Sequence, residues 1–214
     1  DSDGIRHAYH CGAIISSMPL RDLVDAIDAV PEKVSRAAKK LRYRDFLTVG
    51  LKVERADLFP DNWIYVHDPD VKVGRVQNFK NWSPQMVPDP NVSFVGLEYF
   101  CFEGDDLWTM KDEDLIALGR TEFDRIGLAQ ASEITDATVV RMPKAYPIYD
   151  SEYRAAVDTI REWLSGLENL WSSGRNGMHQ YNNQDHSIMS ALVSARNLLG
   201  TDRRDPWMIS HNAE

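Results

Sequence analysis

Between Leu47 and Val53 the apolar residues Leu47, Val49, Leu51 and Val53 alternate with Thr48, Gly50 and Lys52. That period of two fits a strand with one buried face. On either side of this middle region the period changes. Leu20, Leu23, Val24 and Ile27 follow Pro19 at helical spacing, and Val34, Ala37, Ala38 and Leu41 follow Pro31, with Lys33, Arg36, Lys39 and Lys40 left outside. The chain is therefore read as strands framed by helices, and no repeat, linker or biased tract interrupts it.

The remaining elements follow from local chemistry. His10–Ser16 is a short apolar run that predicts a buried strand. Trp63–His67 and Val73–Lys80 flank Asp68, Pro69 and Asp70, residues that suit a tight turn, so a hairpin is expected there. Phe94–Phe102 reads as another strand. A helix is predicted over 112–126, with Asp112, Glu113 and Asp114 at its positive end, Ile116, Gly119, Phe123 and Ile126 inward, and Gly127 as its stop. A strand at Thr138–Met142, a helix over 151–164, a short strand at Leu170–Ser173, a Gly174–Gly177 turn and a helix over 182–199 complete the reading. The fold class is α+β: an antiparallel sheet with helices, flanked by α/β-like ends.

Composition narrows the function classes. The 214 residues, 43% hydrophobic and 27% charged, suffice for a packed core. With 24 basic against 33 acidic residues the net charge of −9 opposes a phosphate backbone, so nucleic acid is not an expected partner. The uncharged stretch His7–Leu20 is shorter than the about 20 apolar residues that a spanning helix needs, so no membrane span is expected. Cys11 and Cys101 are too few for a disulfide scaffold, which points to a reducing, cytoplasmic setting. His7, His10 and Cys11 lack a second ligand pair, so no metal is expected. Asp185, His186 and Ser187 are helix neighbours that do not face one another, which excludes a relay among them.

The segment from Gly174 to Ser190 is the richest in chemistry. Two glycines allow close backbone approach, Asn182 or Asn183 can cap a helix, and the free N–H groups of its first turn form an anion site. A plain strand-turn-helix connection would explain the glycines too, but not the density of Arg175, Asn176, His179, Gln180, Tyr181, Gln184 and Asp185.

Ile14–Leu20 together with Gly174–Gly177, Tyr181, Asp185 and the closing helix resemble the later part of FAD-dependent oxidoreductases of the amine oxidase and protoporphyrinogen oxidase type, related to UDP-galactopyranose mutases. Asp57–Tyr65, Gly74–Trp82 and Leu97–Gly104 resemble the substrate domain of a bacterial branch of that group. The resemblance implies a cofactor, FAD, bordered by Ser16, Ser17 and Met18 on one side and by Gly174, Arg175, Asn176, Gly177, Met178, Tyr181, Asn182, Asn183, Gln184 and Asp185 on the other. Tyr181, Tyr99 and Trp82 are the candidates to wall a small organic substrate; no catalytic residue is named, because such oxidations do not require one protein base. In the mutases an Arg, a Tyr six residues on and an Asp two further belong to the site. Arg175 and Tyr181 match that pattern, whereas Asn183 stands in place of the acid; the alternatives to the oxidoreductase are a mutase-like flavoenzyme that acts on a nucleotide sugar and a non-enzymatic binding domain.

A dinucleotide fold needs Gly-x-Gly-x-x-Gly after its first strand. The sequence holds no such motif and does not start with Met. The expectation is a carboxyl-terminal fragment that lacks the dinucleotide-binding region, is inactive alone and binds FAD weakly or not at all. Its parts would be a remnant of the FAD domain at 1–30, a substrate domain at 31–165 and the closing strand, turn and helix of the FAD domain at 166–214. Apolar surface near Ile14 and along Ile188, Met189, Leu192, Ala195 and Leu199 would then invite self-association.

Overall fold

The structure is a computed structural model that describes residues 4–209. Along the chain come β1 (Ile14–Ser16), α1 (Leu20–Asp25), α2 (Glu32–Lys40), β2 (Tyr43–Val53), β3 (Trp63–Tyr65), β4 (Arg75–Asn78) and α3 (Phe79–Trp82). They are followed by β5 (Ser93–Cys101), α4 (Asp106–Thr109), α5 (Asp112–Arg125), β6 (Ile134–Pro147), α6 (Tyr153–Leu164), β7 (Leu170–Ser172), α7 (Gly174–Gly177) and α8 (Gln184–Leu198). The elements form two compact units: Arg44–Ala145, here the sheet unit, and the chain up to Tyr43 with that from Tyr146 onward, here the terminal unit.

The sheet unit holds a five-stranded sheet in the order β3-β4-β5-β2-β6. The ladders β2–β5, β4–β5 and β3–β4 are antiparallel. Alternation sends Leu47, Val49, Leu51, Val95, Leu97 and Tyr99 to one face, where Leu115 and Phe123 of α5 cover them. The buried stripe of α5 is Leu115, Gly119, Glu122 and Phe123, with Ile116 and Ile126 only partly buried against it. The expected stripe missed Glu122 because a carboxylate is an unlikely core residue on composition alone. Here its oxygens accept hydrogen bonds from the Lys72 N–H at 2.7 Å and the Val73 N–H at 3.0 Å, so the charge is buried with partners.

Other boundaries moved for physical reasons. The strand expected over Val73–Lys80 keeps only Arg75–Asn78, and Phe79–Trp82 turns into a helical turn that carries Phe79 onto Phe94, ring centroids 5.9 Å apart. β6 runs well beyond Thr138–Met142 in spite of Pro143. It lies at the sheet edge, where a missing N–H breaks no ladder.

In the terminal unit β1 and β7 form a two-stranded parallel sheet, Ile14 opposite Leu170 and Ser16 opposite Ser172. A second core joins Leu20, Val24, Val34, Ala38 and Leu41 to Ile160 and Leu164 of α6. The segment Gly174–Gly177, expected as an open turn, is one turn of helix. Among the described residues no helix is long and apolar enough to cross a membrane.

Candidate functional site

The ends of β1 and β7 fix the site's geometry. Ser173 N–H donates to the Ser16 carbonyl at 2.9 Å, which brings the β1 exit against the turn into α7. Gly174 has φ +76°, a left-handed conformation that glycine adopts at low cost. At Gly177 a Cβ would lie 2.8 Å from the Ser16 carbonyl oxygen and 3.3 Å from the Ser17 Cα, so only glycine lets the two backbones meet. Ser16 is buried, and its hydroxyl accepts from Met18 N–H at 3.3 Å.

The chain then passes Met178 and His179, both fully buried. His179 has φ 48°, a left-handed conformation that costs a residue with a Cβ about 1–2 kcal/mol. Its ring packs edge-on to Tyr43 at 4.7 Å and lies 5.9 Å from Tyr153. Burial pushes its imidazole down to about 4, against the smaller opposing effects of the Ile148 backbone and Asp150, so the ring is neutral at pH 7. Burial likewise pushes the Tyr43 phenol up to about 12.

At the start of α8 a cavity of about 320 Å³ is lined by Arg175, Asn182, Asn183, Gln184, Ser187 and Ile188. Four of these were expected from the sequence; Ser187 and Ile188 were not, and they follow once the first turn of α8 is placed. Arg175 Nε donates to the Asn182 carbonyl at 2.9 Å, and its guanidinium lies 4.8 Å from the Tyr181 ring and 5.0 Å from the Tyr146 ring. The two tyrosine rings are stacked at 6.0 Å and 14°. The Tyr181 N–H donates to the Tyr149 hydroxyl, and Tyr149 stacks on Tyr153 at 4.2 Å. Sequence reading missed Tyr146 and Tyr149; only the density of tyrosine in 146–153 marked them.

Electrostatics at this end are mixed. Asn183 is the N-cap residue but makes no side-chain cap hydrogen bond. The carboxyl of Asp185 is held below its usual range, first by the His186 backbone N–H, so this side chain already serves part of the helix start. Asn182 is 1% exposed, and neither its Oδ1 nor its Nδ2 has a hydrogen-bond partner. Trp171 Nε1, Ser172 Oγ and Gln180 Oε1 are buried without partners too.

The remaining expected residues lie in the sheet unit. Trp82 is exposed, and its Nε1 donates to Gln77 at 2.9 Å; Gln77 in turn donates to Glu98 at 3.1 Å. Glu98 is ion-paired with Arg75, whose guanidinium lies 5.0 Å from the Trp63 ring. Tyr99 is fully buried on the opposite, helix-covered face, where burial and the neighbouring Glu122 push its phenol up. Among the described residues no three His, Cys, Asp or Glu side chains converge as a metal site would need.

No protein-family model matches the sequence, and no curated protein matches it. Solved structures do match. A reduced UDP-galactopyranose mutase is 19% identical over 94% of this chain and 44% of its own, with a TM-score of 0.79. A protein of Exiguobacterium sp. 255-15 assigned as a protoporphyrinogen oxidase is 14% identical over 77% of this chain and 36% of its own, with a TM-score of 0.60. The PF1083 protein of Pyrococcus furiosus is 13% identical over 93% of this chain and 43% of its own, with a TM-score of 0.55. The chain spans less than half the length of each of these structures. At these identities the likeness is one of fold: the chain folds as part of a UDP-galactopyranose mutase and of a protoporphyrinogen oxidase-type protein do, the relationship to which its own residues pointed.

Proposed function

We propose that this chain is part of an FAD-dependent oxidoreductase, with the flavin ring against the first turn of α8 and the ribityl chain and pyrophosphate along Gly174–Met178. One observation carries the reading: Arg175, Asn182, Asn183 and Gln184 line one cavity at the start of α8, and the Asn182 amide there is buried with no partner. Such orphaned polar atoms fit a ligand rich in donors and acceptors. When bound, FAD would accept a hydride or electrons from an organic substrate.

The chain's own residues would hold and orient. Gly177 lets β1 and α7 close on each other, which keeps Ser16, Ser17 and Met18 beside Gly174–Met178. The positive end of α8 would favour charge on a reduced ring, moderated by Asp185. Tyr181, stacked on Tyr146 and held by its N–H to Tyr149, would present a fixed aromatic wall to substrate, and Trp82 is the candidate in the sheet unit. Buried Tyr99 could act only as support. The division of the chain between FAD and substrate domains, and a dinucleotide-binding region beyond this chain, belong to the same proposal.

A second reading, a mutase in which reduced flavin forms an adduct with a nucleotide sugar, is favoured by the TM-score of 0.79 to the mutase. Against it, Asn183 lacks the acid of the mutase pattern. Turnover separates the two. The complete enzyme should oxidise an amine or a cyclic polyene and consume an electron acceptor. Isomerisation of a sugar nucleotide with no acceptor consumed would replace the first reading by the second.

A further inference from the structure

We infer that the groove between α2 and α6 is a binding site for a phosphorylated small molecule, separate from the flavin site and independent of that reading. Residues 33–44 carry Lys33, Arg36, Lys39, Lys40, Arg42 and Arg44 and no acid, in a chain whose net charge is −9. All six are exposed. Helix periodicity sorts the four on α2. Lys33, Arg36 and Lys40 stand at i, i+3 and i+7 on the face beside α6, about 10 Å from first to last along the axis, whereas Lys39 lies outside that face.

The three cations line a cavity of about 480 Å³. Ala37 and Ala156, both buried, give it a floor of short side chains, so the longer residues on either side stand as walls. Opposite the cations are Ser151 and Glu152, just before α6, and Thr159 on it. Both helices belong to the terminal unit, so the groove is complete within that unit.

Charge decides the ligand class. Lys33, Arg36 and Lys40 face one carboxylate, that of Glu152. The positive excess matches a phosphate monoester, which carries about −1.5 to −2 at pH 7. Arg36 is paired with Glu32 at 3.0 Å and Lys40 with Glu152 at 2.5 Å, but both pairs are exposed. Exposed pairs contribute little, so they yield to a doubly charged ligand. Lys33 and the Ser151 hydroxyl have no partner among the described residues. An Arg36 guanidinium turned to the groove takes two phosphate oxygens at once, while Lys33 and Lys40 add point charges. The cavity has the size of a small-molecule site and exceeds what one phosphate fills, which leaves room for the body of an ester. A nucleic acid would run past the groove onto a surface that is acidic in sum.

The test is titration of the 214-residue chain with inorganic phosphate and with glycerol phosphate, at an ionic strength held constant with sodium chloride, followed by amide shifts at Ala37 and Ala155 and by the melting midpoint. Both probes should shift the two amides and raise the midpoint, because a ligand of the folded chain stabilises it. Lys33→Glu and Arg36→Glu, each at an exposed position, should weaken binding at least ten-fold. Lys39→Glu makes the same charge change on the same helix outside the groove and should weaken it less than three-fold. Equal losses from all three would overturn the site, because net charge alone would then explain the binding. So would a response that sodium chloride reproduces, uptake of inorganic phosphate without its ester, or binding confined to vesicles of anionic lipid, which would make α2 a membrane-facing surface instead.

Discussion

In the sheet unit Glu122 is 5% exposed, and its two carboxylate oxygens take the N–H groups of Lys72 and Val73. In the terminal unit Asn182 is 1% exposed, and neither end of its amide has a partner. The same contrast recurs. Asp45 is buried and accepts from the Glu103 and Lys144 N–H groups, at 2.7 and 2.6 Å. Ser172, Gln180 and Trp171 in the terminal unit carry buried polar atoms with none. Apolar surface divides in a related way: α5 seals one sheet face, whereas α8 leaves Ile188 61% exposed and the Leu199 that caps it 75% exposed. An unpaired buried polar group costs about 1–3 kcal/mol, so a chain keeps several where something else completes them. The comparison teaches that the sheet unit meets its buried carboxylates from within, although Asn78 Oδ1 and the Tyr99 hydroxyl stay unpartnered there, whereas the terminal unit keeps a cluster of unpartnered polar atoms beside the proposed cofactor site.

The largest test strikes the sheet unit. Phe123→Ala should destabilise the sheet unit by about 3–5 kcal/mol in urea unfolding, as loss of a large buried ring does. A change below about 1 kcal/mol would mean that α5 does not seal the sheet.

Next comes pH. Folded His179 binds its proton more weakly than an unfolded histidine, with its value pushed to about 4 from 6.5. The stability tied to its neutral form is therefore complete above pH 6.5 and declines as pH falls toward 4, by on the order of 3 kcal/mol in total. Melts of the native chain and of His179→Asn, a residue that tolerates a left-handed backbone, should converge as pH falls. Parallel curves would show that the buried ring has no such role.

A paired substitution sharpens the contrast in sign. Glu122→Leu should destabilise by about 2–3 kcal/mol, because two backbone N–H groups lose their acceptor. Asn182→Leu should leave the isolated chain unchanged or stabilise it by about 1 kcal/mol, because an orphaned amide disappears. Equal losses from both would erase the distinction between the units. The smallest effect is at the surface. Leu192→Lys should move stability by under about 0.5 kcal/mol while it lowers binding of a hydrophobic dye, and unaltered dye binding would show that the α8 stripe is not accessible.

What the residues disclosed follows from periodicity. Leu47 to Val53 and the stripe of α2 are legible because burial on one face repeats at the period of the element, whereas the apolar residues Ile188, Met189 and Leu192 of α8 lie exposed. Glu122 and Tyr99 were not legible in this way. A carboxylate on a helix reads as solvated until its N–H partners from another strand are known, and a strand tyrosine reads as pocket or core according to a face that only the register decides. Arg175 and the Asn182–Gln184 run stood out in sequence because glycines, amides and a helix start fall within a few residues. Tyr146 and Tyr149 did not, since their contacts with Arg175 and Tyr181 join segments about thirty positions apart, and no local rule spans that distance.

The central claim is that the terminal unit holds one half of a flavin site. It is tested most directly by titration of FAD, followed through flavin fluorescence, into this chain alone and into a form of the chain joined to a dinucleotide-binding segment. The account predicts no tight binding to the chain alone and saturable one-to-one binding to the joined form, lost in Gly177→Leu. Stoichiometric flavin on the chain as purified, or no binding to the joined form, would contradict it.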